Sequence, residues 1–205
     1  MGELCLSGTC PYYLVGKPRM SNALTVESRN GTTVIRFTRP ELRNALSLEV
    51  LTELDRVLDS LASDPSIREI IFTGSDDVFA SGADIREIAL LKPTDARDFA
   101  LRGQRIMRKI VDVQPTTLAA INGYCYGGAL DLALACNRRI ASPNATFCHP
   151  GTGLGIITGW GGTQRLPRLV GSANASMMFF TAAPIDAEEA LRIGLINGME
   201  QDLTV

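Results

Sequence analysis

A single carboxylate stands within an apolar stretch of the chain. In the segment NGYCYGGALDLALAC, residues 122–136, Asp131 follows two glycines and is flanked by Ala and Leu. Ionised carboxylates are rarely buried without partners, because removing the charge from water is costly and raises the pKa of the group. Asp131 therefore either offsets the dipole of a helix that begins at the glycines, an effect of about 0.3–1 kcal/mol, or takes part in proton transfer.

Small residues at two strand-to-helix connections could present backbone N–H groups to a ligand. One connection contains Gly127 and Gly128, and the other, in FASGADIRE, contains Ser81, Gly82 and Ala83. Free N–H groups at a helix start attract anions, and a residue without Cβ lets a substrate oxygen approach the backbone. Each loop alone could be an ordinary tight connection. Two such donors can converge on one oxygen.

The elements that must position these residues follow from turn residues and hydrophobic periodicity. Asn30-Gly31 between two β-rich segments predicts a hairpin, because both central residues of its turn need positive φ. The buried strands are predicted in REIIFTG, in TTLAAING and twice in RRIASPNATFCHP. Helices are predicted after Ser47 as far as Pro65, from Thr94 to about Val113, directly after Gly128, and over most of 164–195. This alternation predicts an α/β fold with crossover connections.

Composition narrows the class of protein. The chain has 205 residues with 45% hydrophobic content, which suits one substantial core, and 20 basic against 22 acidic residues argue against a nucleic-acid surface. No apolar stretch is long enough to span a membrane. Five cysteines at irregular spacing are expected to be reduced residues of a cytoplasmic protein, namely Cys5, Cys10, Cys125, Cys136 and Cys148. One histidine and no C-x-x-C motif predict no metal site.

The first residues lack the features of a secretory signal peptide. Residues 1–22 are therefore expected to be a poorly ordered extension, and 23–205 to be a single core domain.

Four motifs together resemble one known superfamily. RPELRNALS, FASGADIRE, AAINGYCYGGALDLALACNRRIASPNATF and GWGGTQRLPRLVG are similar to the crotonase superfamily of enoyl-CoA hydratases, isomerases and relatives. The match runs from about Leu24 to Asn197 in the family's order and spacing. It implies a spiral of ββα units with two roughly perpendicular sheets, assembled as a homotrimer or hexamer. Family members continue into further helices beyond the position of Val205, so the resemblance implies that these helices are missing here.

The resemblance also implies a substrate and its contacts. The substrate would be an acyl-CoA thioester, with coenzyme A as part of the substrate and no other cofactor, and its carbonyl oxygen would be held by the N–H groups of Ala83 and Gly128. A preorganised donor of this kind is worth ~10²–10³ in rate. Arg43 and Arg86 are candidates for a CoA phosphate, with solvated surface charge as the alternative. The other positions implied to contact the substrate are Ala45, Ser81, Asp84, Ile85, Gly127 and Gly151.

Both catalytic glutamate positions of the family's hydratases are altered. Asp131 stands at the first position and Gly151 at the second. His149 is two residues before Gly151, and positions i and i+2 share a face of an extended strand. Its imidazole is therefore a candidate for the missing acid or base, with a packed histidine as the alternative. Restoring the acid with Gly151→Glu is expected to raise hydration if the pocket is otherwise conserved.

The remaining carboxylate favours certain reactions. One base can remove a proton and return it elsewhere, so double-bond isomerisation of an enoyl-CoA fits the residues better than hydration, which uses two acids. Decarboxylation and thioester hydrolysis need less acid-base equipment and stay open. A non-catalytic acyl-CoA-binding or assembly protein is the alternative from another class. Thr152, Thr158 and Trp160 are candidates to shape the acyl pocket, and Trp160 is also read as a core residue.

Overall fold

A computed structural model describes residues 23–203, which form two β-sheets and six α-helices. The larger sheet contains, in spatial order, β1 (Leu24–Arg29), β2 (Thr32–Phe37), β3 (Glu69–Thr73), β5 (Thr116–Ile121), β7 (Arg138–Ala141) and β10 (Gly198–Met199). The smaller sheet contains β4 (Val78–Ala80), β6 (Tyr124–Tyr126), β8 (Thr146–Cys148) and β9 (Ile185–Asp186). The extension expected over residues 1–22, with Cys5 and Cys10, lies outside the described residues.

The helices complete the element order. They are α1 (Leu48–Ala62), α2 (Ile85–Ala89), α3 (Ala96–Asp112), α4 (Gly128–Ala135), α5 (Gly162–Thr181) and α6 (Ala187–Arg192). Two short 3-10 turns cover Pro40–Leu42 and Pro150–Leu154. Within residues 23–203, no helix has both the length and the apolar composition needed to cross a membrane.

The hairpin and the first helix form where the sequence predicts them. β1 and β2 pair antiparallel around Asn30 and Gly31, whose φ values are 53° and 83°. Ser47 caps α1 by accepting a hydrogen bond from the amide of Val50 at 3.3 Å. The apolar face of α1 then packs into the core through its leucines.

The chain repeats one unit after the hairpin. A strand of the larger sheet is followed by a short strand of the smaller sheet and then by helical structure, as in β3–β4–α2, β5–β6–α4 and β7–β8–α5. Neighbouring strands β3, β5 and β7 are parallel, as are β4, β6 and β8. The expected ββα organisation and the α/β class with two sheets are confirmed. These repeats bring the carboxyl ends of β4 and β6, and the loops that follow them, side by side.

Two local expectations need correction. The sequence predicts one strand that ends at Asn122 and then a turn, but Tyr124–Tyr126 form β6, a three-residue strand too short to give a periodic pattern. The mostly helical region after Gln164 is interrupted: α5 has a non-helical residue at Gly171, with φ 81° and ψ 158°, and β9 precedes α6. Glycine tolerates this positive φ, so the break falls there.

Candidate active site

Two loops at the ends of β4 and β6 approach each other at backbone distance. A Cβ placed on Gly82, whose φ is 84°, would lie 2.5 Å from the amide nitrogen of Gly128, and one placed on Gly128 would lie 3.3 Å from the amide nitrogen of Ala83. Only glycine allows this contact at 82. Among the backbone hydrogen bonds that residues 23–203 form outside their helices and strands, none uses the amide of Ala83 or Gly128 as its donor, and Gly128 is the first residue of α4. The geometry therefore leaves two neighbouring N–H groups for a ligand.

A cavity of about 310 Å³ opens beside these two amides. Its volume lies at the lower end of the range for small-molecule sites. The wall is mostly apolar, and its polar side chains belong to Ser81, His149 and Thr158. The apolar and backbone part of the lining comes mainly from the two loops, α2, α3 and the segment after β8, including Ala83, Ile85, Ile88, Phe99, Ala100, Gly127, Gly128, Gly151 and Trp160.

Trp160 forms one wall of the cavity and is otherwise buried, as expected of a core residue. Its ring lies 5.8 Å from that of Phe99 on α3. A Cβ on either Gly103 of α3 or Gly128 of α4 would overlap the indole. Two glycines on neighbouring helices thus make room for one aromatic side chain.

Asp131 is fully buried in the first turn of α4, immediately behind the cavity wall. Its Oδ2 accepts a hydrogen bond from the hydroxyl of Thr158 and a longer one, 3.3 Å, from the amide of Trp160. A Cβ on Gly162 would overlap its Oδ1. The carboxylate lies in the first turn of α4, where its negative charge complements the helix dipole, and it accepts its hydrogen bonds from residues 158 and 160 and none from its own helix. Thr158 and Trp160, which both line the cavity, stand between Asp131 and that space.

Burial sets the acidity of this carboxyl. Removal from water raises the pKa of Asp131 to about 6, against the lowering effect of the Thr158 hydroxyl and of the Trp160 and Gly162 amides. Arg165, whose guanidinium donates to the carbonyl of Trp160 at 3.1 Å, supplies a further opposing positive charge. A carboxyl with a pKa near neutrality is suited to proton transfer.

His149 is the nearest titratable neighbour of Asp131. Its Nε2 lies 3.8 Å from Oδ1 of Asp131, and its ring packs against Phe179 with centroids 4.9 Å apart. Neither ring nitrogen has a hydrogen-bond partner among the described residues, and the same holds for Oδ1 of Asp131. Burial lowers the pKa of His149 to about 4, so the ring is neutral at physiological pH.

His149 and Gly151 both line the cavity, but the prediction that they share one face of an extended strand is wrong. β8 ends at Cys148, and residues 150–154 form a 3-10 turn instead of continuing the strand. Proline at position 150 fixes φ and favours such a turn. The turn, not strand alternation, brings both residues to the wall.

The space around Gly151 is too small to accept a glutamate side chain without movement of the backbone. A Cβ at this position would lie 2.7 Å from the carbonyl oxygen of Ile156, whose own amide donates to the carbonyl of Gly151. A glutamate here requires the backbone at 156 to move. Gly151→Glu is therefore expected to disturb the loop and not simply to restore an acid.

A wider groove of about 750 Å³ continues outward from the cavity and shares Ser81, Ala83 and Ile85 with it. The resemblance placed the CoA moiety against Arg43, Ala45, Ser81, Asp84, Ile85 and Arg86, and all six line this groove. Arg86 forms a bidentate pair with Asp84 at 2.7 and 2.9 Å and holds the pKa of that carboxyl below its usual value. Arg43 lies over the ring of Tyr124 at 5.0 Å.

Sequence reasoning missed two contributions to the site. The sequence predicts Thr158 only as a pocket residue and gives Tyr124 no role, yet the Thr158 hydroxyl donates to Asp131 and Tyr124 lines the groove. Thr152 donates to the carbonyl of Phe179 at 2.8 Å and does not line the cavity. Cys125, Cys136 and Cys148 are buried free thiols, as expected. No cluster of metal-ligating side chains occurs within 23–203.

Comparison with known proteins gives one consistent result. Residues 27–202 match the sequence model described as enoyl-CoA hydratase/isomerase. The crotonyl-CoA hydratase of Syntrophomonas wolfei is 41% identical over 87% of this chain and 69% of its own length, and the short-chain-enoyl-CoA hydratase of Clostridium acetobutylicum is 40% identical over 86% and 68%. Among solved structures, Pseudomonas aeruginosa DspI has a TM-score of 0.85 at 34% identity, covering 91% of this chain and 76% of its own. The enoyl-CoA hydratase of Bacillus anthracis has a TM-score of 0.84 at 34% identity, covering 87% and 70%.

Proposed function

The chain belongs to the enoyl-CoA hydratase/isomerase family, and on that premise we propose that it is an enzyme that converts an enoyl-CoA thioester through a thioester enolate. The observation that supports this most is the pair of unused amides of Ala83 and Gly128 at the mouth of an apolar cavity. The reading as a non-catalytic acyl-CoA-binding protein is not favoured, because relatives about 40% identical over most of the chain are named as hydratases.

The two amides are proposed to hold the thioester carbonyl oxygen. That oxygen gains negative charge when a proton leaves the neighbouring carbon, and donors fixed in advance stabilise this charge without reorganising. The acyl chain then occupies the apolar cavity under Trp160 and Phe99, and the CoA moiety follows the outer groove past Ser81, Asp84 and Arg43. Coenzyme A enters as part of the substrate, and no other cofactor is proposed.

The negative charge that drives proton transfer is assigned to Asp131. Among the described residues, Asp131 is a carboxylate whose hydrogen-bond donors, Thr158 and Trp160, both line the cavity. Burial places its pKa at about 6. Because Gly151 supplies no second acid, we propose a double-bond shift between the 3- and 2-positions of an enoyl-CoA as the main reaction. Hydration of a 2-enoyl-CoA is the second candidate, supported by the names of the relatives.

The experiment follows the absorbance of the conjugated thioester. A 3-enoyl-CoA should gain this absorbance on incubation with the protein, whereas crotonyl-CoA should lose it slowly or not at all. Asp131→Asn should lower kcat by ~10²–10⁴ for either reaction. Asp64→Asn, in an exposed turn where the side chain accepts from Ser66, is the matched control and should leave kcat unchanged. Fast loss of crotonyl-CoA without isomerisation would assign hydration, and no turnover of either thioester would refute the proposal.

The amide pair has its own test. Trp160 is the single tryptophan of the chain and lines the cavity, so its fluorescence should report ligand binding. An acyl-CoA whose thioester is replaced by a thioether lacks the carbonyl oxygen and should bind more weakly than acetoacetyl-CoA, which forms an enolate, by about tenfold or more. Equal affinities would remove the two amides from substrate recognition.

A homotrimer or hexamer in the cytoplasm is also proposed for the whole protein. Met177 and Phe180 on α5 expose 64% and 81% of their surface, which supports burial of this face against another copy. Light scattering that gives the mass of one chain would refute the assembly. Dialysis against a chelator should leave the activity unchanged, since no metal ligand is proposed.

A further inference from the structure

We propose that His149 is the residue that exchanges the proton with the acyl chain, and that Asp131, held by Thr158, acts only through His149. This assignment rests on the proposed function and gives it a second catalytic side chain. It differs from a direct role for Asp131, in which the carboxylate itself meets the substrate.

The first step of the argument is that Asp131 has no surface on the cavity. The carboxylate is fully buried, and the residues that line the cavity include Thr158, Trp160 and His149 but not Asp131. Its Oδ2 is occupied by Thr158 and by the Trp160 amide. Oδ1 lies against the backbone of Gly162, whose amide lowers the pKa of Asp131, and the imidazole of His149 is the titratable group near it, at 3.8 Å.

The second step is the set of unpaired atoms. Buried polar groups without partners destabilise a folded protein, so three in one place need an explanation. The three are Oδ1 of Asp131 and both ring nitrogens of His149: Nε2 faces Oδ1, and Nδ1 is buried on the other side of the ring. The separation of 3.8 Å is longer than the roughly 2.7–3.2 Å of a hydrogen bond. In the proposed mechanism the ring rotates on substrate binding, which closes this distance and brings Nδ1, buried without a partner in the present structure, to the cavity.

The third step concerns the charges around the pair. Arg165 and the thiol of Cys125 are the other titratable groups that interact with Asp131, and Phe179 covers the ring of His149. Arg165 favours the ionised carboxylate, and the apolar environment of His149 favours the neutral ring. At neutral pH the pair therefore starts as carboxylate and neutral imidazole, which is the state needed for a base.

The proton balance closes without another reactant. The free nitrogen of His149 takes the proton from C2 of a 3-enoyl-CoA, and the electron pair of that C–H bond passes into the dienolate held by Ala83 and Gly128. The imidazolium so formed is stabilised by the carboxylate of Asp131, as an acidic partner stabilises the histidine of a hydrolase triad. His149 then returns the proton to C4, the electron pair of the dienolate forms the C4–H bond, and the 2-enoyl thioester leaves with a neutral ring behind.

The test compares three variants by kcat, KM and pH profile. His149→Gln and Asp131→Asn should each lower kcat by ~10²–10⁴, and the double variant should be no slower than the worse single one, because the two residues act as a unit. Thr158→Val should lower kcat about tenfold or more and shift the pH profile, since Asp131 loses its anchor. Thr52→Val on the exposed surface of α1 is the control and should behave like the parent; its hydroxyl donates to the carbonyl of Leu48 and accepts a 3.4 Å hydrogen bond from Arg102, and neither residue lines the cavity.

Separate readouts distinguish the possible failures. Quenching of Trp160 by acetoacetyl-CoA should persist in all variants, which shows that they fold and bind. A His149→Gln variant that keeps the parent's kcat and pH profile, while Asp131→Asn loses activity, would overturn the role of His149 and leave the proposed function in place. Additive losses in the double variant would also overturn it. A parent protein that turns over no enoyl-CoA would refute the proposed function itself.

Discussion

Asp131 and His149 lie 3.8 Å apart with pKa values displaced in opposite directions. Both displacements come from burial, which disfavours the charged form of either group. For Asp131 the folded protein retains a proton that the unfolded chain loses, so its contribution to stability falls as the pH rises from about 4 to about 6. For His149 the unfolded chain retains the proton, so its contribution rises as the pH increases from about 4 to 6.5. The two contributions nearly cancel.

Substituting Asp131 or His149 singly should reveal the pH-dependent contribution of the other residue to stability. Between pH 4 and pH 6, the free energy of unfolding of Asp131→Asn should rise by about 3 kcal/mol relative to that of the parent. The reason is that the variant lacks the aspartate whose contribution to stability falls over this range. Between pH 4 and pH 6.5, the free energy of unfolding of His149→Gln should fall by about the same amount relative to that of the parent, because the contribution of His149 that rises with pH is lost. Urea unfolding at several pH values measures both. Parallel curves for parent and variants would show that neither group titrates with a displaced pKa.

For single residues, the sequence predicts candidates for the site but not the contacts between them. Asp131, Ala83 and Gly128 could be found because residue types and motif positions mark them. That Thr158 anchors the carboxylate and that His149 faces it depends on the 3-10 turn after Pro150 and on the path of the chain to Trp160. Those are tertiary contacts across 18 or more residues of sequence, which no local pattern encodes.

The helices α3 and α4 both pack against the side chain of Trp160. Gly103 is inside α3, where glycine normally costs about 0.5–1 kcal/mol relative to alanine. A Cβ there would overlap the five-membered ring of the indole. The glycine is explained by packing of α3 on Trp160 and not by the helix itself.

Gly103→Ala should therefore destabilise the protein despite the gain in helix propensity. Overpacking of a core costs about 1–3 kcal/mol. The cost should shrink or change sign in a Trp160→Phe background, because phenylalanine lacks the overlapping ring. A double-mutant cycle of urea unfolding measures the coupling. Gly198→Ala, where a Cβ would meet nothing within 4 Å, serves as the control, and equal costs of Gly103→Ala in both backgrounds would contradict the packing explanation.

Elements with a strong period were predictable, and short ones were not. α1 and α3 are long enough to show an apolar face, and β3, β5 and the hairpin carry clear β-rich runs. β6 and β9 have three and two residues, so their strand character comes from pairing within the smaller sheet and not from local preference.

At the scale of the whole molecule, one buried cation connects α4 to the chain that follows α6. Arg139 donates to the carbonyls of Ala133 and Cys136 at the end of α4, and to the carbonyl of Leu195. A positive charge at a helix carboxyl end also complements the helix dipole. The opposite end of the same helix is the Gly128 amide at the site, so Arg139 stabilises the element that presents that amide.

Arg139→Leu should lower the free energy of unfolding by at least about 1.5–3 kcal/mol, because three buried carbonyls lose a charged donor. Its neighbour Arg138 is exposed on the same strand, and Arg138→Leu should change stability by no more than about 0.5 kcal/mol. Urea unfolding of the pair gives the comparison. Similar small effects for both would show that the carbonyls find other partners.

The sealed position of the Asp131–His149 pair has a consequence for isotope labels. Its unpaired atoms have almost no contact with bulk water, so a hydrogen picked up from the substrate has no easy exchange route during a turnover. A 3-enoyl-CoA deuterated at C2 should then carry much of its deuterium to C4 of the product in ordinary water. An undeuterated 3-enoyl-CoA in D₂O should give mostly undeuterated product.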